Sequence, residues 1–187
     1  MPQIELDRTV ADLNNRAVSL IEAGRYQEAE GLLTKALTLA PDRPGILFNR
    51  AEAHRLSADL NAARADLQTA LGLDPESAEI MHALGLVAYE ADDFAEATKW
   101  YELALEKDPE YAAAWNDLGV IAFRTGRYEA AKTCFEKAAR LDPDFADAWF
   151  NLADTCDELG LKDERLHALD MLQKARIKAG EESEDFE

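Results

Sequence analysis

The chain has 187 residues, 48% of them hydrophobic, and its 38 Asp and Glu against 20 Lys and Arg give a formal charge of −18. That balance excludes a nucleic-acid binder, which needs clustered Lys and Arg to displace counterions from phosphates. No stretch approaches the roughly 18 consecutive apolar residues of a membrane-spanning helix, and the opening MPQIELDRTV lacks the basic and apolar blocks of a signal peptide, so a cytoplasmic location without a membrane partner is expected.

Pro41, Pro75, Pro109 and Pro143 recur every 34 residues. A fixed period of that length marks an array of stacked structural units. Residues 1–9 read as a lead-in. Apolar and small residues then return at three- and four-residue steps, the period of amphipathic helices. They give five helix pairs, at 10–23 and 26–39, 44–57 and 60–73, 78–91 and 94–107, 112–125 and 128–141, and 146–159 and 162–178. The units are 10–43, 44–77, 78–111, 112–145 and 146–179. Gly24, Gly126 and Gly160 mark the turn inside the first, fourth and fifth pairs, where Ala58 and Asp92 substitute in the second and third. After Gly180 the segment EESEDFE reads as an acidic disordered tail over 180–187.

Three series of small residues keep step with the prolines. They are Ala17, Ala51, Gly85, Gly119 and Ala153; Ala29, Ala63, Ala97 and Ala131; and Ala36, Ala70, Ala104 and Ala138. Bulky residues recur between them: Leu13, Leu47, Met81, Trp115 and Trp149 early in the unit, Leu33, Leu67, Tyr101 and Phe135 late. Helix axes approach to about 8–10 Å only where the side chains at the crossing are short, so each series predicts a recurring close crossing. The fifth unit departs from the pattern, with Arg165 and Leu172 in place of its late alanines and Ile177 in place of the proline. Its charged second helix reads as a solvating cap.

No phosphate-binding glycine loop, HExxH or GxSxG motif occurs. His54, His82 and His167 fall in different units at different repeat positions, so no zinc site is expected. Cys134 and Cys156 form no CxxC pair and read as reduced thiols, Cys156 on an inner helix face. The chain is therefore expected to be no enzyme and to hold no cofactor or metal.

The repeat resembles the tetratricopeptide repeat, whose 34-residue units carry W-x2-L-G-x2-Y followed by A, F, A and P. The fourth unit matches most fully, through Trp115, Leu118, Gly119, Gly126, Tyr128, Ala131, Phe135, Ala138 and Pro143. The resemblance covers about residues 10–179. It implies an all-α fold, a right-handed superhelical solenoid of antiparallel helix pairs, in which the first helix of each pair lines a concave groove. It also implies the residues that face that groove: Asn14, Asn15, Phe48, Asn49, Glu52, His82, Tyr89, Asn116, Asp117, Phe123, Phe150, Asn151 and Asp154.

Asn15, Asn49 and Asn151 share the sixth position of their units, with Asp117 in the fourth and Ala83 in the third. An asparagine amide both donates and accepts, so such a ladder suits the backbone of an extended peptide; ordinary polar residues near a helix start are the competing reading. The groove positions hold nine acids (Glu22, Glu52, Glu79, Glu90, Asp117, Asp147, Asp154, Asp157 and Glu158) and two bases, Arg55 and Arg124. Such a face attracts basic segments, and its aromatics offer apolar anchors. Co-chaperone members of the family hold an acidic C-terminus with a Lys, Asn, Asn, Lys and Arg clamp. Here only Asn49 suits it, and Asn14, Glu79 and Ala83 fill the basic positions, so that partner is rejected. The expected function is a non-catalytic adaptor that binds a basic or apolar peptide segment of a partner protein, with a monomer favoured over an oligomer. The alternatives are a self-assembling scaffold and a secretion-type chaperone shielding a client segment.

If the alanine series mark close crossings, Ala97→Leu overpacks one of them. A loss of about 1–3 kcal/mol in urea unfolding is expected, and an unchanged midpoint would mean that Ala97 meets no neighbour.

Overall fold

The computed structural model describes residues 3–180; the acidic segment 181–187 lies outside the described residues. Among the described residues there are ten α-helices and no strand: α1 (Gln3–Glu22), α2 (Tyr26–Leu39), α3 (Pro44–Leu56), α4 (Leu60–Leu73), α5 (Ala78–Glu90), α6 (Phe94–Lys107), α7 (Ala112–Arg124), α8 (Tyr128–Leu141), α9 (Ala146–Glu158) and α10 (Lys162–Ala179). The chain forms two compact units that divide after Trp100, within α6. Each has its own apolar core, one built around Ala17, Leu33, Ala51 and Leu67, the other around Ala131, Phe135, Trp149 and Leu172.

The punctuation of the helices follows from local chemistry. Pro41, Pro75 and Pro143 come directly after the C-caps Ala40, Asp74 and Asp142, where a residue without an N–H cannot continue the helix. Pro44 instead opens α3 at a position whose N–H would be unpaired in any case. Inside each pair the turn is one repeated motif. Gly24, Gly126 and Gly160 take φ of 72°, 73° and 70°, and Ala58 and Asp92 take 66° and 59° in their place. The residue after each closes a six-to-one hydrogen bond, as in Arg25 N–H to the Leu20 carbonyl at 2.8 Å and Asp59 N–H to the His54 carbonyl at 2.8 Å. The left-handed residue reverses the chain and sends the second helix back along the first.

All three small-residue series are buried. The reason is clearest at Gly119, where an added Cβ would stand 2.5 Å from Cε1 of Phe135 on the facing α8. Sixteen residues before each late bulky position stands its small partner, so Leu33 and Leu67 are matched with Ala17 and Ala51, whereas Phe135 is matched with Gly119. A larger ring is accommodated by deleting a methyl. The early tryptophans are fixed differently: Trp115 and Trp149 donate their indole N–H to the carbonyls of Pro109 and Pro143, at 3.0 and 2.9 Å. Each ring thereby ties the start of its helix to the loop before it.

Two terminal features differ from expectation. Residues 3–9, expected as a lead-in, belong to α1, because Leu6, Val10, Leu13 and Ala17 continue one apolar stripe into the first core. In α10, Ala168, Leu172 and Ala175 are buried at helical spacing while Leu166 and Ile177 stand exposed among charges. The last helix is thus amphipathic, with one packed face and one solvated face.

Gly119→Ala should destabilise the chain by about 1–3 kcal/mol, and Gly119→Ala combined with Phe135→Leu should recover most of that loss. Ala58→Gly should add about 1 kcal/mol by relieving a left-handed alanine. Urea unfolding measures all three; a neutral Gly119→Ala would contradict the crossing described here.

Candidate peptide-binding face

The first helices of the pairs, α1, α3 and α5 in one unit and α7 and α9 in the other, carry the residues expected to meet a partner. Their most regular feature is a pair of amide bridges. Asn49 Nδ2 donates to Asn14 Oδ1 at 2.8 Å between α3 and α1, and Asn151 Nδ2 donates to Asn116 Oδ1 at 3.0 Å between α9 and α7. Both join the fifth position of one unit to the sixth of the next. The first amide thereby orients the second, whose Oδ1 and remaining N–H are left for another partner. Of the amides expected to form a ladder, Asn49 and Asn151 are each coupled to a fifth-position amide, whereas Asn15 joins neither bridge. Asn116 also donates to Asp117 Oδ1 at 3.1 Å and is 6% exposed, so it acts as a support and not as an open surface group. In α5 the same two positions are His82 and Ala83, both buried, and there the amide pattern is interrupted. Asn15 and Asp154 are exposed.

Charge on this face is less one-sided than the sequence count. Arg55 makes a two-pronged contact with Glu52, at 2.9 and 2.6 Å, and reaches Glu90 of α5 as well. These partners, Glu52 foremost through its hydrogen bonds, hold the guanidinium above the ordinary arginine pKa against the opposing effect of burial. Glu52 and Glu90 are thus neutralised where they stand. Asp157 pairs with Arg165 at 3.2 Å. Glu22, Glu79, Asp147, Asp154 and Glu158 make no ion pair among the described residues.

The aromatics divide into two kinds. Tyr89 packs on Phe94 with ring centroids 5.4 Å apart, and Phe123 meets Tyr128 edge-on at 5.2 Å. Each contact spans the turn inside one helix pair and closes that hairpin. Phe48 is half-buried, and Phe150 is the most open of the four at 46% exposure. Residue type alone did not separate the hairpin-closing rings from the open one.

Two arrangements were not foreseen from the sequence. Arg50 of α3 grips Asp66 of α4 through both nitrogens at 2.7 Å and also donates to Thr34 Oγ1 of α2 at 3.2 Å, with His54 Nε2 3.8 Å from the same carboxylate. Asp66 is buried, so this contact ties three helices at a point where charge has left water. The second is a cleft of about 530 Å³ at the starts of α3 and α5, walled by Asp7, Val10 and Ala11 of α1 and containing Asn14, Phe48 and Asn49. One residue of its α1 wall, Asp7, comes from the helical extension that the repeat period does not announce. Cys134 and Cys156 are free thiols whose pKa is pushed up by burial, so neither has the character of a reactive nucleophile. Among the described residues no group of three or more His, Cys, Asp or Glu side chains is placed to hold a metal, and no helix is long and apolar enough to cross a membrane.

Models of the tetratricopeptide repeat match residues 20–84, 78–111, 112–145 and 134–167, a continuous run from 20 to 167. The chain belongs to the tetratricopeptide repeat family. It is 35% identical over 77 residues to the heat-shock protein cognate co-chaperone sgt12 of Aspergillus fumigatus, a match that covers 41% of this chain and 23% of that protein. The chain thus spans less than a quarter of the length of that relative. Among solved structures it resembles PilF of Pseudomonas aeruginosa, with a TM-score of 0.83 at 20% identity over 91% of this chain and 78% of the other. It also resembles MamA, with a TM-score of 0.72 at 22% identity over 88% and 96%. A third neighbour is YrrB, described as a tetratricopeptide repeat protein with an unusual peptide-binding site, with a TM-score of 0.62 at 20% identity over 88% and 84%. At these identities the structural likeness establishes the all-α fold alone; it is the match to the tetratricopeptide repeat models that makes the chain a protein-interaction module in general terms.

Removing the guanidinium at Arg50 strands a buried carboxylate. Arg50→Met should cost about 1–3 kcal/mol, whereas Arg16→Ala, which breaks an exposed pair with Asp12 at 3.4 Å, should stay within about 0.5 kcal/mol. Equal losses in urea unfolding would contradict the role given to Arg50.

Proposed function

We propose that this tetratricopeptide repeat protein is a non-catalytic adaptor that captures an extended segment of a partner protein on the faces of its first helices. The observation that carries this reading is the repetition of one amide bridge, Asn14 to Asn49 and Asn116 to Asn151, in the same register in both compact units. A bridge of this kind spends one donor of the second asparagine and leaves an acceptor and a donor, the complement of one peptide unit. A ligand held through its backbone needs little from its own sequence. Preference then comes from the surroundings, where Glu79, Asp147, Asp154 and Glu158 add negative charge beside Phe48 and Phe150. The preferred segment is basic or apolar. The acidic C-terminus bound by co-chaperone clamps would meet repulsion here, so the likeness to sgt12 is one of repeat architecture. A cytoplasmic setting suits the two reduced thiols.

A self-assembling scaffold is the second reading, favoured by the open apolar side chains of Ile4 on α1 and of Leu166 and Ile177 on α10. Light scattering over a concentration series separates the two, because an adaptor keeps a constant monomer mass.

Crosslinking capture from native lysate identifies the partner segment, and calorimetry with that segment measures its affinity. Asn49→Ala together with Asn151→Ala should weaken binding by about 5- to 150-fold, as two hydrogen bonds of about 0.5–1.5 kcal/mol each imply. Unchanged affinity would remove the amide ladder from the account.

A further inference from the structure

The cleft at the starts of α3 and α5 differs chemically from the rest of the face. Its apolar lining comes from Val10, Ile46, Ile80 and the half-buried ring of Phe48. Its remaining lining brings three carboxylates, Asp7, Asp74 and Glu79, against the single guanidinium of Arg43. That guanidinium is already engaged, with Arg43 Nη2 donating to Asp7 Oδ1 at 2.6 Å. Asp74 and Glu79 have no counter-cation among the described residues. The volume of about 530 Å³ is that of a small ligand site, and the bridged amides of Asn14 and Asn49 stand on its wall.

We propose that this cleft is the anchoring subsite of the face and takes a partner segment in which one large aliphatic side chain is flanked by lysine or arginine. The proposal rests on the reading of the first helices as a peptide-binding face. Each half of the motif is required by a different part of the cleft. An aliphatic side chain covers the apolar lining, which a small polar one would leave wet. An uncharged segment would shed the hydration of Asp74 and Glu79 without replacing it, a cost that grows as water is excluded. A flanking cation supplies the missing partner, and the Asn49 amide can hold the backbone between the two. An acidic flank adds a third negative charge and is excluded.

The test uses the full chain and three fluorescent nonapeptides with Gly-Ser flanks, carrying Lys-Leu-Lys, Lys-Ser-Lys or Glu-Leu-Glu at the centre. Anisotropy should show Lys-Leu-Lys binding about tenfold more tightly than either control. Glu79→Lys and Ala11→Trp, the first reversing a charge and the second filling the cleft from its α1 wall, should each weaken it by about tenfold, while Lys174→Ala, on α10 and outside the cleft lining, leaves it unchanged. Both changes lie at exposed helix positions, and a thermal melt checks that each variant folds. Should Ala11→Trp unfold, Glu79→Lys alone carries the test. Equal affinity for the three peptides, or indifference to Glu79→Lys, overturns the proposal. If binding ignores Glu79→Lys but falls with Asn151→Ala, the cleft is wrong and the wider face survives. If a partner captured from lysate ignores the substitutions at Glu79, Asn49 and Asn151 alike, the peptide-binding face falls with it.

Discussion

The close contact between two helices of a pair, made where one presents almost no side chain, is the constraint on which the rest of this chain depends. At Gly119 the tolerance is less than a methyl group, since a Cβ there would overlap the ring of Phe135. Interiors packed at this density transmit any change of volume to their neighbours. The alanines at 29, 36, 63, 70, 131 and 138 are all fully buried, and they repeat the same condition along the array. Hairpins held at one spacing can be stacked with one register, and a fixed register is what lets a functional feature recur.

That recurrence appears on the first helices. Asn49 reaches Asn14, and Asn151 reaches Asn116, because the crossings hold successive first helices at a constant separation. Other polar groups serve the same end by different means. Arg50 and Asp66 lock α3 to α4 and α2 from below, and Arg55 links Glu52 on its own helix to Glu90 on α5. These contacts consume charge that the sequence alone would assign to a ligand. The acids that stay unpaired, Glu79, Asp147 and Asp154 among them, are negative charge that no cation of the described residues offsets.

Much of the fold was legible because its determinants are local and periodic. The prolines, the turn residues at 24, 58, 92, 126 and 160, and the small-residue series each act through backbone geometry or volume, and both can be read from spacing. The left-handed turn at Ala58 and Asp92 was marked only by alignment with the glycines, since neither residue announces it alone. The start of α1 was not legible from the period, because Leu6 carries the apolar stripe of the first helix back beyond the repeat. On the candidate face, repeat position assigned residues to the first helices but did not say what each side chain touches. Tyr89 and Phe123 close their own hairpins, Asn116 and His82 are buried, and Arg55 is already paired. Those outcomes depend on side chains 35 residues away or across a turn, which a single sequence does not align.

Native-state hydrogen exchange tests the central claim most directly, because it reads how strongly each helix crossing is held. If the small-residue contacts hold the hairpins together, the amides around Ala29, Leu33, Ala63, Leu67, Ala131 and Phe135 are the slowest to exchange, and Gly119→Ala speeds those of α7 and α8 first. Exchange at these amides as fast as in the last turn of α10 would contradict it.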